Sequence, residues 1–525
     1  MADTTYSDVA GAPAEERIDP RRLIAFLAMV FGMFMAILDI QIVSASLAEI
    51  QAGLNAGADE ISWVQTSYLI AEVIMIPLSG TLARILSTRI LFSFSAAGFT
   101  AASVLAATAT NIDQMIVYRA IQGFIGGGMI PSVFAAAYTI FPRSKQAIIA
   151  PIIGLVATLA PTIGPTVGGY LSSNLSWHWL FLINVGPGLV VATVAWTMID
   201  FDKPEFNLAR SFDWLGFFGM AIFLGALEFV LEEGPANDWL NDETILFFAI
   251  AMTIGAFVFF YRAFTAKFPV VDLTAFRNIN FAFGSVFSFV MGIGLYGLVY
   301  LYPLYLGRIR GYDSLMIGET VFITGVAMFL CAPLSGALSN KVDPRLMLLL
   351  GFLGFAYSTW MLTGITSDWD YWELFLPQII RGASLMFCMV TITNLALGTL
   401  PVERLKAASG LFNLTRNLGG AVGLAAITTL LSDRSDLHYD RIAETVTSAN
   451  HTAVGFLEQL SANYAASGIS GDAAALSQLA GMARQQAWVM AFADVSWILA
   501  VLFAGLALGA LLMKKPQAGE APAGH

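Results

Sequence analysis

The chain is short of charge. Asp, Glu, Lys and Arg together make up 12% of its 525 residues, against about 25% in soluble proteins, too few to clothe a water-soluble surface of that size. Cysteine is rarer still: Cys331 and Cys388 are the only two. Both lie in apolar stretches, where a free thiol behaves as a small hydrophobe, so no disulfide framework is supported. The four histidines are scattered without metal-ligand spacing, which argues against a zinc site. With 26 basic and 37 acidic residues the formal charge is -11 and no basic stripe exists, so nucleic-acid binding is excluded. A phosphate-cradling Gly-x-x-x-x-Gly-Lys loop is missing, as is any nucleophile, base and orienter set. ATP-driven work and enzymatic catalysis are therefore not expected, nor is a cofactor. Residues 1–20 are polar and carry no apolar core or small-residue cleavage site, so they do not read as a secretory signal.

What the chain has is apolar length. Hydrophobic residues make up 57% of it, in fourteen runs long enough to span a bilayer, which takes about 20 residues. The runs are 23–47, 62–83, 90–109, 113–137, 147–172, 178–199, 214–232, 244–262, 280–303, 315–338, 346–366, 371–396, 407–431 and 488–513. The expected fold class is an all-α polytopic membrane protein with fourteen transmembrane helices embedded in a lipid bilayer. If the N-terminus is cytoplasmic, the tails and inward loops collect 18 of the 26 basic residues and the outer side five, with Arg119, Arg381 and Arg416 left in the membrane. Both termini are assigned to the cytoplasm on that bias.

An internal repeat divides the chain. Pro77-Leu78-Ser79-Gly80 at the end of the second run recurs 256 residues later as Pro333-Leu334-Ser335-Gly336 at the end of the tenth. Pro142, Arg143 and Lys145 after the fourth run are echoed by Pro401, Arg404 and Lys406 after the twelfth. Duplicated halves around a shared cavity are a recurrent transporter plan. The expected division is a cytoplasmic tail 1–22, a six-helix bundle 23–199, an inserted helix pair with linkers 200–279, a second six-helix bundle 280–513 and a tail 514–525. Residues 433–486 form an external loop within the second bundle. Its stretch Ala473 to Trp488 has helical spacing of Leu476, Leu479 and Met482.

Ionisable residues inside apolar helices are costly and usually mark an ion or substrate pathway. Asp39 and Glu72 both fall near the midplane. A carboxylate there loses water in its charged form and is suited to take up a proton near neutral pH; the alternative is a carboxylate permanently paired with an intramembrane arginine. Glu228, beside Glu232 and Glu233, reads as a solvated helix end. Arg119, Gln122, Gly123 and Gly126 form one stripe at i, i+3, i+4 and i+7. Arg119 could release a carboxylate when that acid is protonated, or could simply brace the packing. Arg381, and Arg416 with Asn413, could contact cargo or anchor the second half. Tyr68 and Gln41 join Gln122, Arg381, Asn413 and Arg416 as expected cavity or cargo contacts. Gly164, Pro165, Gly168 and Gly169 make the fifth helix a tight, bendable seam.

These residues resemble the major facilitator superfamily, specifically its fourteen-helix drug:proton antiporters of the EmrB/QacA type. Leu38-Asp39 with Leu47, Tyr118-Arg119-Ala-Ile-Gln122-Gly123, Gly164-Pro165-x-x-Gly168-Gly169 and Trp177-His-Trp179-x-Phe181-x-Ile-Asn184 carry the likeness in the first half. Pro269-Val-Val-Asp272-Leu273 with Phe276, Leu400-Pro401-x-Glu403-Arg404 and Thr415-Arg416-x-Leu418-Gly419 extend it over nearly the whole chain. The resemblance implies the major facilitator fold, two six-helix bundles plus two inserted helices; Asp39 and Arg119 fall in its motifs and, with Glu72 from its place near the midplane, are the expected proton-coupling residues. The helix 5 motif implies export rather than uptake. The long external segment resembles exporters that work with a periplasmic EmrA-like membrane fusion adaptor and an outer-membrane channel. Departures are present: Arg84 and Ser87 stand where the family commonly has the aspartate and glycine of its cytoplasmic gate, so a gate salt bridge of that design is not expected. Gln41 and Ser44 replace the usual threonine and asparagine.

The expected function is a proton-driven antiporter exporting small amphipathic compounds across a bacterial inner membrane. A proton-coupled importer of a nutrient or siderophore is the rival transporter, and a membrane scaffold or sensor the rival of another class.

Overall fold

The computed structural model describes residues 19–511 except 45, 58–59, 142, 340, 448–449 and 467–470, and the backbone alone of 143–148, 150, 158, 314, 402 and 466. The terminal tails and the side chains of the Pro142, Arg143 and Lys145 cluster lie outside the described residues. All regular structure among the described residues is helical. Fourteen helices are long and apolar enough to cross a membrane: α1 Pro20–Ser44, α2 Trp63–Leu86, α3 Thr88–Ala107, α4 Ile112–Ile140, α5 Pro151–Asn174, α6 Trp179–Met198, α7 Trp214–Ala236, α8 Glu243–Thr265, α9 Ile279–Arg308, α10 Leu315–Ser339, α11 Pro344–Gly364, α12 Tyr371–Leu397, α13 Glu403–Thr445 and α14 Gly471–Ala510. Backbone groups in lipid must bond within their own segment, which leaves helices as the economical solution for runs of this composition.

Polar caps set where the spans begin. Asn111 accepts from Gln114 N at the start of α4, Asp213 from Gly216 N in α7, and Asp242 from Thr244 N and Ile245 N in α8. Asp370 and Glu373 form a capping box on α12. Each side chain satisfies amides that would otherwise be orphaned in the first turn.

The packing repeats itself. α1 lies against α5, α2 against α4, α3 against α4 and α6; in the second half α9 lies against α13, α10 against α12, α11 against α12 and α14. The halves meet where α5 packs on α10 and α2 on α13. The second list follows from the first by adding eight to each helix number, which is the pairing implied by the Pro-Leu-Ser-Gly echo of α2 in α10. α7 and α8 pack on each other, α7 touches α2 and α13, and most of α8 faces outward, with Phe257 74% and Phe264 76% exposed.

The external segment departs from a loop. α13 runs 43 residues and α14 runs 40, about 60 Å each at 1.5 Å per residue, twice the hydrocarbon thickness. The helix His451–Ala466 packs on α14 between them. Residues 433–486 are therefore chiefly a projecting helical element. The polarity that hid it from a hydropathy reading is that of a helix leaving the bilayer for water.

An even number of spans brings Pro20 and Ala510 to one face, the terminal face. That face is closed. Ser409 Oγ donates to Pro131 O at 3.1 Å, Tyr138 Oη to Asn394 Oδ1 at 3.0 Å, and a Cβ on Gly80 would meet Lys406 O at 2.8 Å. Lys406 Nζ pairs with Asp202 Oδ2 at 2.6 Å, and the same oxygen accepts from Thr88 N and Oγ1 at 2.7 and 2.6 Å. One carboxylate thus joins the start of α13 to the start of α3.

Candidate functional site

The buried charge of the first half centres on one ion pair. Asp39 on α1 is 1% exposed. Its Oδ2 accepts from Arg119 at 2.6 Å, and its Oδ1 from Gln122 at 3.1 Å and Asn184 at 2.7 Å. Arg119 also donates to Val64 O at 3.1 Å and to Gln122 Oε1 at 2.6 Å, and lies over the Tyr68 ring at 4.2 Å. Ser103 Oγ accepts from Gln122 and completes the set. Helices α1, α2, α3, α4 and α6 are tied through one ion pair. A buried pair is tolerable when most of its hydrogen-bonding capacity is filled: Gln122, Asn184 and Val64 O do this for Asp39 and for two of the Arg119 nitrogens, while Arg119 Nη2 has no hydrogen-bond partner among the described residues and the guanidinium rests on the Tyr68 ring. Close helix approach makes the reach possible: a Cβ on Gly123 would sit 2.3 Å from Tyr68 O.

Glu72 is held differently. It is 2% exposed, its Oε1 has no hydrogen-bond partner among the described residues, and Arg119 and Asp39 are its electrostatic neighbours. It lines a cavity of about 370 Å³ in the half of the molecule away from the terminal face. Gln41 and Pro165 share that wall with Asn417 of α13, Tyr296 and Tyr300 of α9, and Glu228 and Glu232 of α7. The volume is in the range of small-molecule sites.

The residues singled out in sequence separate into two groups. Gln41, Glu72 and Pro165 reach the cavity. Tyr68 and Gln122 are wholly buried beside the ion pair, and Asn413 and Arg416 bond to each other within α13. Arg381 donates to Thr324 Oγ1 at 2.8 Å and Leu298 O at 3.3 Å and lies over Tyr302. Gly164 and Gly168 form the α1–α5 seam: a Cβ would meet Gln41 Cβ at 2.3 Å and Ile42 O at 2.7 Å respectively. Gly169 O accepts from Ser173 Oγ at 2.6 Å at the far end of α5.

Reading Glu228 as a solvated helix end does not hold. It is 6% exposed and faces the cavity, because α7 packs on α2 rather than standing free. Ser103, Asp202 and the pairing of Lys406 were also missed. A further signal was legible: Arg119-x-x-Gln122-Gly123 in α4 returns as Gln378-x-x-Arg381-Gly382 in α12. The arginine and glutamine exchange places, and a Cβ on Gly382 would meet Thr324 O at 2.5 Å.

Mirrored bundles, buried charges and a cavity at their seam define a membrane transporter. The Major Facilitator Superfamily model matches residues 29–424, and the chain belongs to that superfamily. It is 41% identical over 91% of its length to the colistin resistance protein EmrB of Acinetobacter baumannii, 93% of which is covered. To the multidrug export protein EmrB of Escherichia coli it is 28% identical over 96% of its length and 97% of that protein. Among solved structures, the human organic anion transporter MFSD10 superposes with a TM-score of 0.58 at 11% identity, covering 92% of this chain and all of that one. That last likeness concerns the fold.

Proposed function

We propose that the chain is a proton-driven antiporter exporting amphipathic compounds across a bacterial inner membrane, with the terminal face in the cytoplasm. The observation that carries this reading is Glu72: a buried carboxylate with no cation of its own, open to the cavity and adjacent to the Asp39–Arg119 pair. The Lys and Arg bias supports the orientation, which makes the cavity outward-facing and the closed face inward. In that state a proton enters at Glu72 and alters the field at Arg119. Asp39 is freed when the pair opens, and the halves rock about the α2–α13 and α5–α10 contacts. A potential of 100 mV supplies about 2.3 kcal/mol per charge, enough for roughly a fiftyfold gradient with one net charge moved. The names of the two EmrB relatives support an organic, toxic cargo and the outward direction.

Proteoliposomes test it in either protein orientation. With an acidic lumen, a fluorescent amphiphile accumulates inside as protons leave; accumulation only with an acidic bath indicates the importer, and none under either gradient indicates a scaffold. The projecting element 433–486 is proposed to dock a periplasmic adaptor that passes cargo to an outer-membrane channel. Replacing about forty of its residues with a Gly/Ser linker is expected to spare transport in liposomes and abolish resistance in cells. Intact resistance refutes the docking role.

A further inference from the structure

The inserted helix α7 is part of the cavity wall. It packs on α2 and reaches α13, both of which line the cavity. Trp239 just beyond it donates to Thr429 Oγ1 of α13 at 3.2 Å, and Thr66 of α2 donates to Glu233 at 2.9 Å. Glu228 and Glu232 are four residues apart and so share a face. Both line the cavity with Glu72, and Glu228 interacts electrostatically with both of the others.

No Lys or Arg lines that cavity among the described residues. Of the arginines nearby, Arg119 pairs with Asp39, and Arg416 bonds to Asn413 and lies over the Phe134 ring, with Nη1 unpartnered and Tyr296 as its electrostatic neighbour. Glu72 Oε1 remains buried and unpartnered. Arg119 is an electrostatic neighbour of Glu72, but no cation is among those of Glu228 and Glu232, and an incoming cation would supply the counter-charge. The rings of Tyr296 and Tyr300 stand in the same wall, and the electrostatic neighbours of Tyr296 are Arg416, then Glu72 and Glu228. Aromatic faces add attraction for a desolvated cation. Ile40, Leu69, Val73, Leu304 and Leu424 offer the remaining surface to an apolar body.

We infer that Glu228 and Glu232 of α7, with Glu72, form a cation-binding subsite that takes the ammonium or phosphonium head of an amphiphilic cargo, with Glu228 the selecting residue. This rests on the reading that the cavity carries cargo. A pair inserted between two bundles then has a chemical role: it adds two carboxylates to the one that the first bundle supplies through Glu72.

The test is calorimetric binding to the purified full chain in detergent, comparing tetraphenylphosphonium with neutral triphenylphosphine oxide. Wild type is expected to prefer the cation by about tenfold or more. Glu228→Gln is expected to bring the cation's affinity close to that of the neutral probe, and Glu228→Asp to restore most of the preference. Equal affinities in wild type, which need no variant to fold, or an undiminished preference in Glu228→Gln, overturn the assignment. Gradient-driven accumulation of a neutral dye is measured in parallel. Its persistence without cation preference overturns the subsite alone, and its absence overturns the exporter reading beneath it.

Discussion

Lys406→Ala is expected to loosen the closed terminal face. Lys406 Nζ lies 2.6 Å from Asp202 Oδ2, with side chains 17% and 11% exposed, and also donates to Ala83 O at 3.3 Å. Exposed pairs contribute about 0–1 kcal/mol, whereas removing one partner of a buried pair costs about 3–5 kcal/mol. A mostly buried pair with a second acceptor falls between, at about 2 kcal/mol. The contact joins α13 to the α3 start and exists only while that face is shut, so its loss falls almost wholly on the closed state. By 1.4 kcal/mol per tenfold, the ratio of closed to open molecules drops about thirtyfold. Lys406 is the cleaner position, because Asp202 also holds Thr88, and its removal would unravel the first turn of α3 as well. Spin labels on the terminal-face ends of α3 and α11 report the change as a growing long-distance population, and Lys406→Arg reverses most of it. A distance distribution identical to wild type in Lys406→Ala refutes the lock.

Arg119→Ala is expected to lose transport and about 3–5 kcal/mol of stability by stranding Asp39, while Arg119→Lys keeps the charge but loses the fork that also reaches Val64 O; full transport by the alanine variant refutes the coupling role. Gly164→Leu is expected to lock or uncouple transport, since even a Cβ would lie 2.3 Å from that of Gln41, and normal coupled transport in liposomes removes the seam argument. Ser87→Gly is expected to stabilise the fold: Ser87 has φ 80 and ψ 155, a region nearly restricted to glycine and costing other residues about 1–3 kcal/mol, while its weak cap on Ile90 N at 3.4 Å is little loss. A raised thermal midpoint in detergent checks this, and a lowered one contradicts it.

Much of the fold was legible because bilayer thickness and repeat spacing both act on local sequence. The fourteen runs and the echo of α2 in α10 needed no long-range information. The site was legible unevenly. Asp39, Glu72 and Arg119 stood out as charges in apolar helices, and the departure at Ser87 marked a real backbone constraint. What could not be read was direction: whether a buried arginine faces a cavity or a neighbouring helix depends on packing, so Gln122, Arg381, Asn413 and Arg416 are in the interior while Gln41 lines the cavity. Glu228 was misjudged because its burial comes from α2 and α13, far away in sequence. Asp202 was passed over for the same reason, its partners Thr88 and Lys406 lying 114 and 204 residues away.

In the proposed cycle, cargo and proton compete through the Glu72 and Asp39–Arg119 charges. Proton release from the purified protein in weakly buffered detergent, on addition of an amphiphilic cargo, tests it without a membrane or gradient. Wild type is expected to release protons, and Asp39→Asn and Glu72→Gln little or none, at saturating cargo. Cargo binding with no proton released by wild type, or equal release by the doubly substituted protein, contradicts it.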